Sequence, residues 1–107
     1  MAFEVLLSPE AVSDLRRLGA YERAKVRKAM ESHLRHEPAK VSKSRIKRLR
    51  GLSRPQYRLR VDDLRVFYDI EGIEVHVLAI VAKADADAWL NQRGVTDEDR
   101  TALGSEG

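Results

Sequence analysis

The stretch QYRLRVDDLRVFYDIEGIEVHVLAIVA, residues 56–82, contains three runs of β-branched and aromatic residues separated by two short polar breaks. The breaks, Asp62-Asp63 and Glu71-Gly72, have the length of tight hairpin turns. The three runs therefore predict an antiparallel meander with strands at 56–61, 64–70 and 73–82. This meander decides the fold, because the remaining segments have to cover its apolar side.

Side chains alternate between the two faces of a strand, so the turns determine which residues share a face. A two-residue turn at Asp62-Asp63 places Arg60 directly opposite Arg65. Like charges in such a pair repel one another unless a carboxylate or a bound anion neutralises them. The predicted polar face holds Arg58, Arg60, Arg65, Phe67, Asp69, Glu74 and His76. The predicted apolar face holds Tyr57, Leu59, Val61, Leu64, Val66, Tyr68, Ile70, Ile73, Val75, Val77, Ala79 and Val81.

Two helices are predicted to cover the apolar face. A short apolar run at 3–7 reads as a strand, and Ser8-Pro9 then supplies a helix N-cap followed by a first-turn proline. This helix is expected to stop at Gly19, and a second one at 20–36 should fold back on it as an antiparallel hairpin ending before Pro38. Further along, the sequence predicts a weak strand at 45–49, a loop at 51–56 and a short helix at 84–91, which Trp89 should anchor.

The predicted fold class is therefore α+β, an α/β arrangement in which an N-terminal strand and a helical hairpin pack on a twisted antiparallel sheet. A chain of 107 residues suits one core. We expect a single domain at 1–92 and an acidic, polar tail at 93–107, in which Thr96 and Asp99 can cap one helical turn.

Composition excludes several classes of protein. The chain has no cysteine, and its three histidines are scattered, so we expect no disulfide, no metal and no cofactor. Its longest apolar run is much shorter than the roughly 20 residues that a membrane-spanning helix requires. The first residues lack the basic region of a signal peptide, which leads us to expect a cytoplasmic protein without a membrane partner.

Positive charge is concentrated in one part of the chain. The net charge is +1 over residues 1–39, +8 over 40–65 and −6 over 66–107. A basic surface of this kind suits a nucleic acid or an acidic protein, whereas a solvated basic loop is the alternative without a binding role. The candidate RNA-binding residues in this region are Lys43, Arg45, Lys47, Arg48, Arg50 and Arg54.

The segment KRLRGLSRPQYRLRVDDLRVFYDIEGIEVHVLAIVAKADADAWL, residues 47–90, resembles the C-terminal half of the RelE/ParE superfamily of bacterial toxin–antitoxin toxins. Its elements L-x-G, Y-R-L-R, L-R-V-x-Y and V-x-V-L-x-I follow one another in the order of that family's pattern. The N-terminal FEVLLSPEAVSDLRRL, residues 3–18, matches as well, so the resemblance spans about residues 2–91. It implies the α+β fold described above.

The resemblance also implies an activity. RelE-like members cut mRNA in the ribosomal A site, by in-line attack of a ribose 2′-OH on the neighbouring phosphate. Arg58, Arg60 and Arg65 match basic positions of that site, and Lys83 ends the last strand. A fixed guanidinium can clamp the phosphate and stabilise its additional negative charge. The candidate acids or bases are His76 and Tyr57.

Two positions differ from the RelE pattern. Ala84 stands where an arginine often follows the basic strand end, and Trp89-Leu90 stands where a tyrosine is usual. These differences keep two alternatives open, namely a ParE-like inhibitor of DNA gyrase and a relative that binds RNA or an antitoxin without chemistry. The partners implied by the resemblance are a cognate antitoxin, the ribosome with its mRNA, and operator DNA reached through the antitoxin.

Overall fold

A five-stranded sheet organises residues 2–97, the part of the chain that the computed structural model describes. The strands are β1 (Glu4–Leu7), β2 (Ile46–Arg48), β3 (Leu52–Arg54), β4 (Tyr57–Val61), β5 (Leu64–Glu71), β6 (Glu74–Ala82) and β7 (Val95–Thr96). The helices are α1 (Pro9–Arg17), α2 (Ala20–Ala29), which continues as a π-helical turn (Met30–Leu34), and α3 (Ala86–Arg93), which follows a 3-10 turn (Lys83–Asp85).

The large sheet has the strand order β1-β6-β5-β4-β2. Strands β4, β5 and β6 form the predicted antiparallel meander, and β2 pairs antiparallel with β4. Strand β1 lies parallel to β6 at the opposite edge, so the sheet is mixed and not purely antiparallel as predicted. A parallel pairing joins segments that are distant in the sequence, and no local pattern in 3–7 indicates it.

The register of the first hairpin is as predicted, whereas the second turn lies one residue further along the chain. Arg60 pairs with Arg65. At the second turn Glu71 pairs with Glu74, so that Gly72, with a φ of +60°, and Ile73 form the turn. Ile73 is 58% exposed and does not belong to the apolar face as predicted.

An irregularity in β6 reverses the predicted faces near the end of that strand. Val77 pairs with Tyr68, but Ala79 pairs with the preceding residue of β5, so Leu78 is an additional residue in the ladder. A bulge of this kind turns every following side chain to the other face. Ile80 therefore enters the main core, whereas Ala79 and Val81 belong to the opposite face, contrary to the prediction.

Helices α1 and α2 close the main core over different strands. The Ser8 hydroxyl accepts a hydrogen bond from the Ala11 N–H (3.1 Å), and α1 packs on β6 while α2 packs on β4. Gly19 is extended and is the N-cap of α2, so it links the helices without adopting the left-handed conformation typical of a helix-ending glycine. The buried core cluster comprises Ala11, Leu15, Val26, Ala29, Met30, Leu34, Ile46, Leu59, Val61, Leu64, Val66, Tyr68, Val75, Val77 and Ile80.

The other face of the sheet carries α3. The ring of Trp89 stacks on Phe67, with centroids 4.9 Å apart and planes 5° from parallel. Beside α3, β3 pairs with β7 in a separate two-stranded sheet. The prediction of a loop at 51–56 is therefore wrong in part, because residues 52–54 form a strand that pairs with 95–96, at the start of the segment predicted as an acidic, polar tail. Asp99 lies outside the described residues.

Candidate nucleic-acid interface

Three arginines project from the side of β4 and β5 that faces away from the main core. We call Arg58, Arg60 and Arg65 the arginine face. Arg60 lies directly opposite Arg65, and Lys47 of the edge strand β2 lies opposite Arg58. Two cross-strand pairs of like charge thus lie side by side. Such pairs destabilise a sheet by a few tenths of a kcal/mol to about 1 kcal/mol each.

Neither neighbouring acid neutralises these charges. Asp69, which is 7% exposed, accepts a hydrogen bond from the Gln56 N–H (2.7 Å) and lies 3.6 Å from the Arg54 Nε. Glu74 pairs with His76 at 3.0 Å. Within residues 2–97, no residue of the arginine face forms an ion pair. The face therefore carries an excess of positive charge, and Asp62 in the adjoining turn attracts Arg60 without forming an ion pair with it.

Two properties of Arg58 suggest that an anion would stabilise it. Its Nε is buried and has no hydrogen-bond partner among the described residues. Burial lowers the pKa of the Arg58 guanidinium, and the charges of Arg65 and Arg60 lower that pKa further. A phosphate bound beside Arg58 would offset this repulsion, because guanidinium groups bind phosphate through charge-assisted hydrogen bonds.

Arg65 is less accessible than the alternation predicts. It is only 6% exposed, and its Nη1 donates hydrogen bonds to the carbonyls of Asp62 (2.8 Å) and Leu64 (2.9 Å). These bonds fix the guanidinium against the β4–β5 turn. Arg65 consequently contributes a rigid charge and stabilises the turn, whereas Arg60 is exposed and can contact a ligand directly.

Lys83 lies at the same end of the sheet as the Arg60–Arg65 pair. The preceding residue, Ala82, pairs with Leu64, and the Lys83 N–H donates to the Asp63 carbonyl (2.7 Å). Lys83 is exposed. Its position allows it to act on the same ligand as the arginine face.

The two candidate acids or bases lie elsewhere. His76 pairs with Asp69, four residues along β5 from Arg65, which corresponds to about 13 Å along the strand. Tyr57 lies on the apolar side, where its ring stacks on Tyr68 at 5.5 Å. The structure therefore does not bring His76 or Tyr57 together with the arginine face.

The six basic residues before β4 take separate positions. Arg48 lies over the Tyr57 ring at 5.2 Å and donates to the Gln56 carbonyl (2.7 Å), and Arg54 pairs with Asp69. Lys43 and Arg50 are exposed. Arg45 lies beside α2, and only Lys47 is in register with the arginine face.

Glu10, a residue that no sequence pattern indicates, holds α3 in place. The Glu10 carboxylate in α1 accepts a hydrogen bond from the Trp89 Nε1–H (2.9 Å) and pairs with the Arg93 guanidinium (2.5 Å). Trp89 does anchor the last helix, as predicted, but on Phe67 beside Arg58 and not in the main core. An acid in the first turn of a helix looks like an ordinary dipole interaction, so the sequence carries no signal for this contact.

Three solved structures of bacterial or archaeal toxins, two of them in complex with an antitoxin, have the same fold. The RelBE2 toxin–antitoxin complex of Mycobacterium tuberculosis is 24% identical, with a TM-score of 0.63 over 77% of this chain and 99% of that chain. The RelE–RelB complex of Pyrococcus horikoshii OT3 is 22% identical, with a TM-score of 0.64 over 78% and 97%. A mutant of Escherichia coli RelE in the free state is 20% identical, with a TM-score of 0.63 over 83% and 92%. The fold is thus that of the RelE toxins.

A family model then assigns the chain more narrowly. The model of the ParE toxin of type II toxin–antitoxin systems, parDE, matches residues 5–86. The chain belongs to this family and is a toxin of the RelE/ParE superfamily. A comparison with curated proteins finds no significant match. Within residues 2–97, no helix is long and apolar enough to cross a membrane, and no group of acidic and histidine side chains could hold a metal ion.

Proposed function

We propose that this toxin inhibits translation in the cytoplasm by cutting mRNA in the ribosome, and that a cognate antitoxin restrains it. The observation that carries the proposal is the arginine face, three guanidinium groups without an acidic partner in the described part of the chain. A phosphodiester in its transition state has more negative charge than in its ground state. Fixed cations that face this charge accelerate the reaction.

The proposed reaction is attack of a ribose 2′-OH on the adjacent phosphorus, with departure of the 5′ oxygen. Arg60 and the half-buried Arg58 bind the non-bridging oxygens, and Arg65 adds a charge that two carbonyls hold in place. Lys83 donates a proton to the departing oxygen. Because His76 and Tyr57 lie elsewhere, the proton of the 2′-OH passes to water. Catalysis thus depends on charge stabilisation more than on a protein base.

Primer extension on a translated message tests the proposal. Arg60→Ala removes an exposed side chain without a described hydrogen bond, so the fold should persist while cleavage falls on the order of 10²–10³-fold. Arg16→Ala, at an exposed position of α1, is the matched control and should cleave like the wild type. Equal cleavage by Arg60→Ala and the wild type would exclude the arginine face as the site.

Inhibition of DNA gyrase is the second candidate. The ParE family match favours it, and so does the separation of His76 and Tyr57, the candidate bases for the 2′-OH, from the arginine face. Plasmid supercoiling in cells that express the toxin separates the two functions. Relaxed DNA with intact mRNA would support gyrase inhibition, and cut mRNA with normal supercoiling would support the nuclease. We further propose that the antitoxin, when it is bound to this toxin, contacts operator DNA.

A further inference from the structure

A second basic region lies beside α2, away from the arginine face. Two cavities, of about 230 and 440 Å³, share the lining residues Ser32, His33 and Arg45. They therefore form adjoining parts of one groove, between α2 with its π-helical turn and the segment that leads into β2. We call this the α2 groove.

The α2 groove has an excess of positive charge. Lys25, Lys28, Lys40 and Arg45 line it, together with the acids Asp62 and Glu37. Lys25 pairs with Asp62, and Lys40 pairs with Glu37 at 3.6 Å. Lys28 and Arg45 have no ion-pair partner within residues 2–97. Two charges thus remain available to an anion.

The backbone holds Arg45 in position. The Ser42 hydroxyl accepts hydrogen bonds from the N–H groups of Arg45 (3.0 Å) and Ile46 (3.3 Å). On the other side, the Arg60 N–H donates to the Arg45 carbonyl (2.8 Å). This arrangement restrains the segment before a ligand arrives, which reduces the entropy cost of binding. It also joins the groove to the strand that carries the arginine face.

We propose that the α2 groove binds phosphate groups of an RNA strand, as a second contact in addition to the arginine face. The proposal rests on RNA as the target of the toxin. Lysine, arginine and serine side chains are typical partners of nucleic-acid phosphates, and the groove supplies all three.

An acidic peptide fits the groove less well. Peptide recognition depends on apolar anchors that enter a pocket, whereas the apolar residues lining the groove, Ala29, Ile46 and Val61, are buried in the main core. No Phe, Tyr or Trp ring lines either cavity, and the imidazole of His33 is the one small ring available to a base among the lining residues. The groove is therefore suited to the backbone of RNA and should be indifferent to its sequence.

His33 provides a local reporter because it lines both cavities. Burial lowers the pKa of His33, and the charge of Arg45 lowers it further. A phosphate bound beside Arg45 should raise this pKa again. His36 and His76 lie outside both cavities, so their NMR titrations are internal controls in the same sample.

Binding of a short 2′-O-methylated RNA, followed by fluorescence anisotropy at several salt concentrations, tests the proposal. The double variant Lys28→Gln/Arg45→Gln loses two contacts. The slope of log K against log salt should become shallower by about 1.4, and affinity should fall about tenfold at about 0.15 M salt. The control Arg16→Gln/Arg27→Gln removes equal charge from exposed positions outside the groove and should bind like the wild type.

Two results would overturn the proposal. One is equal affinity and salt slope for the groove variant and the wild type. The other is a His33 titration that shifts with a polyglutamate peptide but not with RNA, which would indicate an acidic protein partner. This RNA has no free 2′-OH and the assay contains no ribosome, so its outcome is independent of cleavage. Binding of RNA to the groove as expected, without mRNA cleavage, would refute the proposed nuclease activity and leave the groove proposal standing.

Discussion

Replacing Glu10 with alanine should release α3 from the sheet. The helix has no buried residue of its own, and its ring contact with the sheet is the stack of Trp89 on Phe67. Glu10 reinforces this stack from α1 through the hydrogen bond from Trp89 Nε1 (2.9 Å) and the ion pair with Arg93 (2.5 Å). Alanine removes both contacts with Glu10, and only the stack of Trp89 on Phe67 remains of these three interactions.

The expected magnitude follows from those two contacts. A hydrogen bond to a charged group contributes about 1.5–3 kcal/mol. A partly exposed ion pair adds roughly 0.2–1 kcal/mol. We therefore expect Glu10→Ala to weaken docking by about 2–4 kcal/mol. Since each 1.4 kcal/mol is about a tenfold change, the undocked population should rise roughly 30- to 700-fold.

Trp89 is the single tryptophan of the chain, so its fluorescence reports on α3 directly. In Glu10→Ala its emission should shift to the red, and amide exchange across 86–93 should accelerate. Arg93→Gln removes the ion pair and keeps the hydrogen bond, so its effect should be no more than about 1 kcal/mol. Unchanged emission and exchange in Glu10→Ala would show that the stack alone holds the helix.

Three further substitutions probe the core, the buried carboxylate and the proposed chemistry. Tyr68→Phe should lower the free energy of unfolding by about 1–2 kcal/mol in a thermal melt, because it leaves the Pro38 carbonyl without its hydrogen bond (2.7 Å). The control Tyr57→Phe removes no described hydrogen bond, and an equal loss of stability in the two variants would contradict the prediction. Burial raises the pKa of the Asp69 carboxyl, so the folded protein binds the carboxyl proton more tightly than the unfolded chain, and the free energy of unfolding falls as pH rises above 3.8, the pKa of an unperturbed Asp. The stability of Asp69→Asn relative to the wild type should therefore increase from about pH 3 to about pH 7, and a decrease would refute this prediction. Ala84→Arg should increase ribosome-dependent cleavage in primer extension by adding a cation near the departing oxygen; cleavage by the wild type without a gain would indicate that Lys83 already supplies that charge.

Sequence patterns were sufficient for the centre of the fold. The polar break at Asp62-Asp63 is a two-residue turn, and such a turn determines the register of both flanking strands. The opposition of Arg60 and Arg65, which is the main feature of the candidate site, therefore follows from local information. The helix start at Ser8-Pro9 is local for the same reason, since the cap and the first turn are adjacent in the chain.

The features that the sequence did not reveal depend on distant contacts or on an uninformative pattern. The bulge at Leu78 lies in the run VLAIV, where every residue is apolar and no alternation marks a change of face. The β3–β7 pairing joins residues about 40 positions apart. The α2 groove also depends on a distant contact, because Lys28 and Arg45 come from separate elements.

The like-charged pairs across β2, β4 and β5 lower the stability of the free toxin while supplying the cations of the proposed site. Arg60→Glu would turn the Arg60–Arg65 repulsion into attraction and strengthen the sheet, yet it would remove an exposed cation from the arginine face. Any polyanion that binds this face stabilises the native state by mass action. Laboratory evolution of this protein for heat resistance should therefore accumulate substitutions at Arg58, Arg60 and Lys47, and under the proposed function these variants would also be less toxic to the host.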